Sequence, residues 1–473
     1  MKPESKLKLF YFFGISFVFI NLALIIMGHY WFVALPLAFA LLMVLLFSAD
    51  KLLLFIALIT PLSFDLEVAS LGFSVGTPNE PLLLAAMLMF FLRFGLKPDF
   101  DIRVLKHPIT IIVVLHLIWM LVTSFTSEMP IVSFKYFASQ LWFVVPMYFF
   151  GVYLFKDSRN IKLFFLLFSI TLGLVVLRTF ILHAGLGFAR KEVADAVTPF
   201  FNDHTQYAAT LALVAPVVLT LVMASSLKAK SQLLALVVPG FFFIGVLFSY
   251  SRAAWMSIIM GVLAYLVLAF RVKSKYLVVG MVLIGAVLVT NKDKLFEKLE
   301  THTQESSQDM FEHFISAANV STDASNVERL NRWVSAFRMF RERPLMGWGP
   351  GTYQFVYSPF QLSKYANVVT TNFGDVGNAH SEYIGPLSES GLPAMVLMLL
   401  LVFLALRTGI RVYGKTSTRE FKLIALGITF GLVTYFSHGV LNNFLNTDKV
   451  AVPFWAMMAI LVTLDLKLKD QPN

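Results

Sequence analysis

Long apolar stretches separated by short polar breaks run through nearly the whole chain. Fourteen of them read as helices, at about residues 9–28, 31–48, 52–63, 80–95, 109–125, 137–155, 162–183, 206–223, 233–249, 253–270, 276–290, 384–407, 421–440 and 450–466. About 20 apolar residues cross a bilayer, so most are candidate crossings, and 52–63 is a candidate half-crossing. Pro36, Pro146 and Pro216 fall inside helices, where a membrane bundle tolerates them because neighbours re-satisfy the freed backbone. The run from Leu233 to Phe270 is too long for one crossing and is interrupted only at Phe248-Ser249-Tyr250-Ser251-Arg252. That pattern predicts a tight hairpin with Arg252 at its apex, and an arginine so placed is a functional candidate by default. The apolar pattern lapses for long only once. The chain thus divides into an N-terminal transmembrane bundle (1–290), an extracytoplasmic loop with an amphipathic helix (291–383) and C-terminal transmembrane helices (384–473).

Composition agrees with the pattern. The 473 residues are 58% hydrophobic and 14% charged, against about one-quarter charged in soluble domains. The fold class expected is therefore an all-α polytopic membrane protein with about 12–14 transmembrane helices and one large extracytoplasmic helical loop. The absence of cysteine excludes disulfides and thiolate metal sites. A net charge of +10 does not point to nucleic acid here, because cytoplasmic loops of membrane proteins collect Lys and Arg. Lys2, Lys6 and Lys8 before Leu9–Met27 imitate a secretory signal, but no small-residue cleavage site follows at Gly28-His29-Tyr30-Trp31, which predicts an uncleaved first helix.

Charge also predicts a topology. With the N-terminus inside, the short loops on the cytoplasmic side hold 23 of the 38 Lys and Arg, and the short outer loops hold five: Lys135, Arg190, Lys191, Arg252 and Lys449. Such a bias sets orientation, so both termini are expected in the cytoplasm and the 291–383 segment outside. Arg190, Arg252 and that segment then share one side. Arg178 is the one basic residue within a helix core.

The outer segment has its own punctuation. Residues 291–326 are polar with mixed charge and read as a solvated spacer or lid. From Asn326 to Phe340 an amphipathic helix is expected, with Leu330, Trp333, Val334, Phe337 and Phe340 on one face, Arg329, Arg332, Arg338 and Arg341 around the rest, Asn326 as cap and Pro344 as stop. Gly347-x-Gly349-x-Gly351 has the spacing of a nucleotide loop but no preceding strand in a βαβ context, so that reading fails. Asp99-x-Asp101 matches the Asp-x-Asp of metal-dependent glycosyltransferases, yet lies on the cytoplasmic side, opposite every other candidate, and reads as chance. His380 stands at a helix start at the membrane surface.

These motifs resemble the O-antigen ligase and O-antigen polymerase family. Ser251-Arg252-Ala-Ala-Trp is similar to the family's Ser-Arg-Gly-type signature, with Ala253 in place of the usual glycine. Glu328-Arg329-x-x-Arg332-Trp333, the loop Pro344-Leu-x-Gly-Trp-Gly-Pro-Gly351, and Asn378-x-His380-Ser-Glu382-Tyr with Glu389-x-Gly391 follow in the family's order. Pro199-Phe-Phe-Asn202 after Arg190 is similar to a further family loop, with its glycine missing and its proline and asparagine displaced. The resemblance covers about residues 190–395; the flanking helices match only in hydropathy.

The resemblance implies a GT-C-like enzyme of the bacterial inner membrane with its site facing the periplasm. Such an enzyme moves a glycan from an undecaprenyl-diphosphate carrier to an acceptor hydroxyl, with no metal or cofactor and no nucleic acid partner. The acceptor is lipid A-core for a ligase, or another carrier-linked repeat unit for a polymerase, and the signature does not divide the two. The residues suit the chemistry. A departing diphosphate is met best by guanidinium groups, which stay charged and pair bidentately; Arg252 and Arg190 are expected there, with Arg329 and Arg332 as helpers. His380 is expected to take the acceptor's proton, its ring oriented by Glu382 or Glu389. The expected mechanism is a single displacement with inversion, since no nucleophile accompanies the histidine. Trp333, Trp348, Tyr353 and Tyr357 either stack on sugars or pack. A transporter of lipid-linked sugars would show inverted repeats and polar broken helices near the midplane, and the sequence has neither; a scaffold would not need an apical arginine.

Overall fold

Proline, aspartate and serine at the polar breaks decide where the helices begin. The computed structural model describes residues 49–68, 73–96, 100–270, 290, 324–362 and 377–470. The expected helices 9–28 and 31–48, all of 276–290 except Thr290, Asp99, and most of the spacer 291–326 lie outside the described residues. Within them, α1 (Ala49–Ile59) and α2 (Asn79–Leu96) flank a small antiparallel hairpin, β1 (Phe64–Val68) and β2 (Phe73–Thr77), in the register Asp65↔Gly76. Nine helices among the described residues are long and apolar enough to cross a membrane: α3 (Pro108–Phe125), α4 (Pro130–Leu154), α5 (Ser158–Gly185), α6 (His204–Ala224), α7 (Ala229–Phe248), α8 (Arg252–Ala269), then, after the amphipathic α9 (Ala324–Glu342), α10 (Ile384–Lys415), α11 (Arg419–His438) and α12 (Asp448–Lys469). The chain is an all-α polytopic membrane protein.

Local chemistry explains the starts. Pro108 and Pro130 open α3 and α4, where a missing N–H costs nothing. Asp157, Asp203 and Ser251 cap α5, α6 and α8 by accepting the amides of Arg159 (2.9 Å), Thr205 (3.0 Å) and Ala254 (3.4 Å). The hairpin predicted from the interrupted apolar run is present: α7 ends at Phe248 and α8 begins at Arg252. Within α4, Pro146 removes a backbone donor and the helix passes through a π-helical segment, Val145–Phe150.

The bundle closes around α12, whose apolar span is buried along its whole length. It packs against the π-segment of α4, against α10 and α11, and against α6. α6 and α11 meet through Gly427-x-x-x-Gly431: a Cβ on Gly431 would lie 2.3 Å from the Leu213 carbonyl, the close backbone approach that small residues permit in membranes. Leu92, Leu166, Leu174 and Phe403 are more than half exposed on the outside of the bundle, a surface suited to acyl chains.

Ion pairs test which loops share a side. Arg103 meets Asp470 at 2.5 Å and Lys162 meets Glu420 at 3.0 Å, each joining two loops that the charge count assigns to the cytoplasm. At the opposite end Arg343 of the α9 exit meets Glu128 of the α3–α4 turn at 2.8 Å. Asp101 accepts the amide and side chain of Arg103 and caps the helical turn Ile102–Leu105, so half of the Asp-x-Asp match is a helix cap. Arg178 donates to the carbonyls of Ala196 (3.2 Å) and Thr198 (2.7 Å). Several elements depart from expectation, α4 among them: it begins at Pro130 and not at 137, so Lys135 lies within the helix and not in an outer loop. The β-hairpin is new; α9 begins at Ala324, two residues before Asn326; and α10 runs on to Lys415, with Arg411 reaching Asp465 of α12 at 2.6 Å.

Candidate active site

Two glycines shape the site end of the bundle. At Gly391 (φ 76°, ψ −175°) α10 breaks within its first third, a conformation only glycine adopts easily. The break frees the carbonyls of the preceding turn, and a docking loop takes them. Trp348 N donates to Ser388 O (3.2 Å), Gly349 N to Glu389 O (2.7 Å), and the Trp119 indole to Ser390 O (2.8 Å), while Leu392 N reaches Pro344 O at 2.9 Å. Gly349 (φ 117°) passes so close to the α3–α4 turn that a Cβ would sit 1.9 Å from Ser127 Oγ. The Gly-x-Gly-x-Gly spacing thus serves backbone docking onto a broken helix and not a phosphate loop. Glu389, at the break, accepts the amides of Tyr353 (3.0 Å) and Gly351.

α9 lies across this loop with its polar stripe inward. Glu328, Asn331, Arg332 and Ser335 are buried, and Phe337 of the apolar stripe is 46% exposed. Arg332 Nε pairs with Glu328 Oε1 at 2.8 Å, and its Nη1 donates to the Asn378 carbonyl at 3.0 Å. The Asn378 side chain in turn accepts His380 N (2.9 Å), and Glu382 N donates to Gly439 O (2.8 Å). Between these ties His380 sits with φ 47°, a left-handed backbone uncommon for a non-glycine residue and costing on the order of 1–3 kcal/mol. Its ring lines a cavity of ≈ 210 Å³ together with Tyr136, Gln354, Glu389, Asn443 and Asn446. Burial, then the charges of Arg332 and Arg329, hold the His380 pKa down at about 3, with Asp203 pulling the other way.

Arg252 stands at the first position of α8, after Ser249-Tyr250-Ser251. Tyr250 has φ 53°, and its hydroxyl donates to Phe188 O at 2.9 Å, tying this turn to the loop that carries Arg190. The next backbone group, of Ala253, lies against the ring of His438, a buried histidine at the end of α11 that Asn442 also contacts at 3.1 Å. Arg329 and Asp203 lie within electrostatic reach of both His380 and His438. The elements carrying Arg252, His380 and His438 therefore converge at one end of the bundle.

Residues 234–399 match the model of the family described as O-antigen ligase. The family resemblance holds. No curated protein matches the chain. The matched segment runs from α7 past the break in α10 and is about a third of the chain; it takes in Arg252, Arg329, Arg332, His380, Glu382 and Glu389 and leaves out Arg190. It supports an O-antigen ligase or polymerase type of function in glycan assembly, carried by a multi-pass membrane protein.

The motifs that carry this resemblance occupy different stations. His380 and Glu389 line one cavity, and Arg329 and Arg332 act on His380 through space. Glu382 accepts from Tyr435 Oη (2.5 Å), Phe444 N (2.8 Å) and Leu445 N (3.0 Å). It thus anchors the His380 segment to the α11–α12 turn; burial raises its carboxyl pKa against the pull of those bonds. Tyr353 and Tyr357 stack on each other (5.0 Å, 12°) inside the protein, and Trp348 donates to Met339 O at 3.0 Å and packs on Phe360. Tyr357 and Trp348 thus pack, while Tyr353 also lines the His380 cavity.

Sequence reasoning missed Tyr136, His438 and the asparagines 442, 443 and 446. A signal was there. Ser437-His438-Gly439 and Asn442-Asn443, then Asn446, concentrate polar groups in one short break between apolar runs. Asp203 is a helix cap whose pKa burial would raise; the bonds from His204 (3.0 Å) and Thr205 outweigh that and hold it below the usual range.

Proposed function

We propose that the protein is an O-antigen ligase that moves a glycan from a polyprenyl diphosphate to a hydroxyl of lipid A-core on the periplasmic face of the inner membrane. The observation that carries this reading is His380, neutral and fixed in a polar cavity beside two arginines, within a segment that matches the ligase family. In the proposed step the acceptor oxygen attacks the anomeric carbon, and its proton goes to the His380 ring. The bond from that carbon to the phosphate oxygen breaks, its electron pair leaving with the diphosphate, and the configuration inverts. Arg252, with Arg190, neutralises the departing charge, which needs no metal because guanidinium groups supply the positive field. Arg329 helps; Arg332, tied to Glu328 and Asn378, holds the His380 segment as well as lending its charge.

The low pKa of His380 has a consequence for this step. A neutral ring is ready to accept a proton but is a weak base near pH 7. A bound diphosphate opposes the fields of Arg332 and Arg329 and raises the histidine pKa toward the working range. The donor thereby activates the base, and acceptor deprotonation follows donor binding.

The test is purified full-length protein in nanodiscs with undecaprenyl-diphosphate-linked glycan and either lipid A-core or a carrier-linked repeat unit as acceptor, with and without EDTA. Transfer to lipid A-core, unchanged by EDTA and lost in His380→Ala, is the expected result. Transfer only to the repeat unit makes the enzyme a polymerase. Loss of activity with EDTA, restored by Mg²⁺ or Mn²⁺, refutes the arginine-only mechanism.

A further inference from the structure

A second cavity of ≈ 380 Å³ opens beside the His380 cavity, and Tyr136, Gly351, Gln354 and Asn446 line both. It runs along α4, where Val132, Lys135, Tyr136, Ser139 and Trp142 follow one another at helical spacing on one face. At 1.5 Å per residue that stripe reaches about 15 Å from the turn toward the middle of the membrane. Glu80 at the start of α2 and Phe355, beyond the docking loop, complete the walls. Its volume falls within the range of small-molecule sites, about 300–1,000 Å³.

We propose that this groove is the subsite for the acceptor glycan. The inference rests on the transferase reading above and assigns one of its two substrates. Charge makes the first argument. Among the described residues no arginine lines the groove, and its charged groups are Lys135 and Glu80. It is a poor place for a diphosphate and a suitable one for a neutral polyol. The second argument is chemical. Sugars offer apolar CH faces and rows of hydroxyls, and the groove offers aromatic rings at Tyr136, Trp142 and Phe355 beside the hydroxyl of Ser139 and the amides of Gln354 and Asn446. The third argument is continuity. A hydroxyl presented from the groove past Tyr136 arrives at the His380 ring, while the arginines act on His380 from α9.

The test combines labelling with kinetics. A photo-reactive benzoylphenylalanine introduced at Phe355 in the full-length protein in nanodiscs is irradiated with lipid A-core, with a carrier-linked repeat unit, or with the undecaprenyl-diphosphate-linked donor bearing a longer glycan. Cross-linking to an acceptor, outcompeted by unlabelled acceptor, is expected, and the acceptor that labels separates ligase from polymerase. Labelling by the donor alone, or by none of the three, overturns the assignment. In turnover, Trp142→Ala and the more conservative Gln354→Ala are each expected to raise the acceptor KM about tenfold, with the donor KM within about twofold; tenfold corresponds to about 1.4 kcal/mol. A rise in donor KM instead overturns the proposal. Acceptor labelling without any turnover would keep the groove and sink the transferase reading, so the two fail separately.

Discussion

Two neighbouring parts of the site are held in contrasting ways. In the arch that carries His380, the carbonyls freed by the break at Gly391 are taken by amides of the 344–351 loop and the Trp119 indole, and buried Arg332 and Glu382 anchor the arch on both sides. The turn that carries Arg252 is held by neutral bonds instead: Ser251 caps α8, Tyr250 reaches the Phe188 carbonyl, the Trp255 indole reaches the Val246 carbonyl, and Ala253 lies against the His438 ring. A base must meet one oxygen at hydrogen-bond distance and in one orientation, which rewards rigid support. A charge clamp acts through a longer-range field and tolerates more play. The two constructions fit those demands.

The contrast is open to attack, beginning with the largest effect. His380→Asn keeps a residue that tolerates the left-handed backbone but removes the base. It is expected to lower kcat by about 10²–10⁴-fold with unchanged melting temperature and donor affinity; near-normal transfer eliminates His380 as the base. Arg252→Ala is expected to cost about 10²–10³-fold, and Arg252→Lys to recover only part, since a point charge does not reproduce the planar fork. Full activity in Arg252→Ala would reduce this arginine to a headgroup anchor.

Gly391→Ala attacks the arch itself. Its Cβ would fall 2.0 Å from the Leu345 carbonyl at φ 76°, so a loss of about 1–3 kcal/mol of stability and a lower thermal midpoint in detergent are expected. Ala253→Gly, in the Arg252 turn, should lower the midpoint less, since glycine in place of alanine near a helix start costs at most about 0.5–1 kcal/mol. An unaltered midpoint in Gly391→Ala would show that the arch is not rigidly held. The pH profiles make a finer distinction. With the His380 pKa at about 3 in the empty site, kcat/KM for the donor should show no acid limb from this group between pH 5 and 7. Bound diphosphate raises the pKa, so the acid limb of kcat should lie at higher pH. Coincident limbs in the two profiles contradict activation by the donor. Orientation is checked last, with variants expected to keep full activity. A cysteine at Ala194 should react with a membrane-impermeant thiol reagent in spheroplasts, and one at Ser231 should not; the reverse pattern inverts the topology.

Much of this was legible in the sequence, for reasons that differ by residue. The helices follow from apolar run length, and the α7–α8 hairpin from a run too long for one crossing. The motifs around Arg252, Arg332 and His380 were visible because they are contiguous or nearly so. What Glu382 holds was not: its partners, Tyr435, Phe444 and Leu445, lie more than fifty residues away, and no local pattern reports such a pairing. The inward face of α9 misleads for a related reason. Its buried face carries Glu328 and Arg332 beside Ala336 and Met339, because the two charges satisfy each other and the Asn378 carbonyl, whereas periodicity marks only the apolar stripe. The β-hairpin carried a faint signal, alternating Phe64, Leu66 and Val68 against Phe73 and Val75, too short to stand out among longer apolar runs.

The complete burial of α12 bears on how the molecule is made. Among the described residues, every helix that encloses it precedes it in the chain, so those helices enter the membrane before the segment they surround exists. They must keep a lipid-filled gap among themselves, or be held apart, until α12 is delivered sideways into it. Assembly then turns on α12: a ribosome that stalls before Asp448 leaves an open ring of helices, with Ser63 and Asn79 deprived of the carboxylate they hold once α12 is in place.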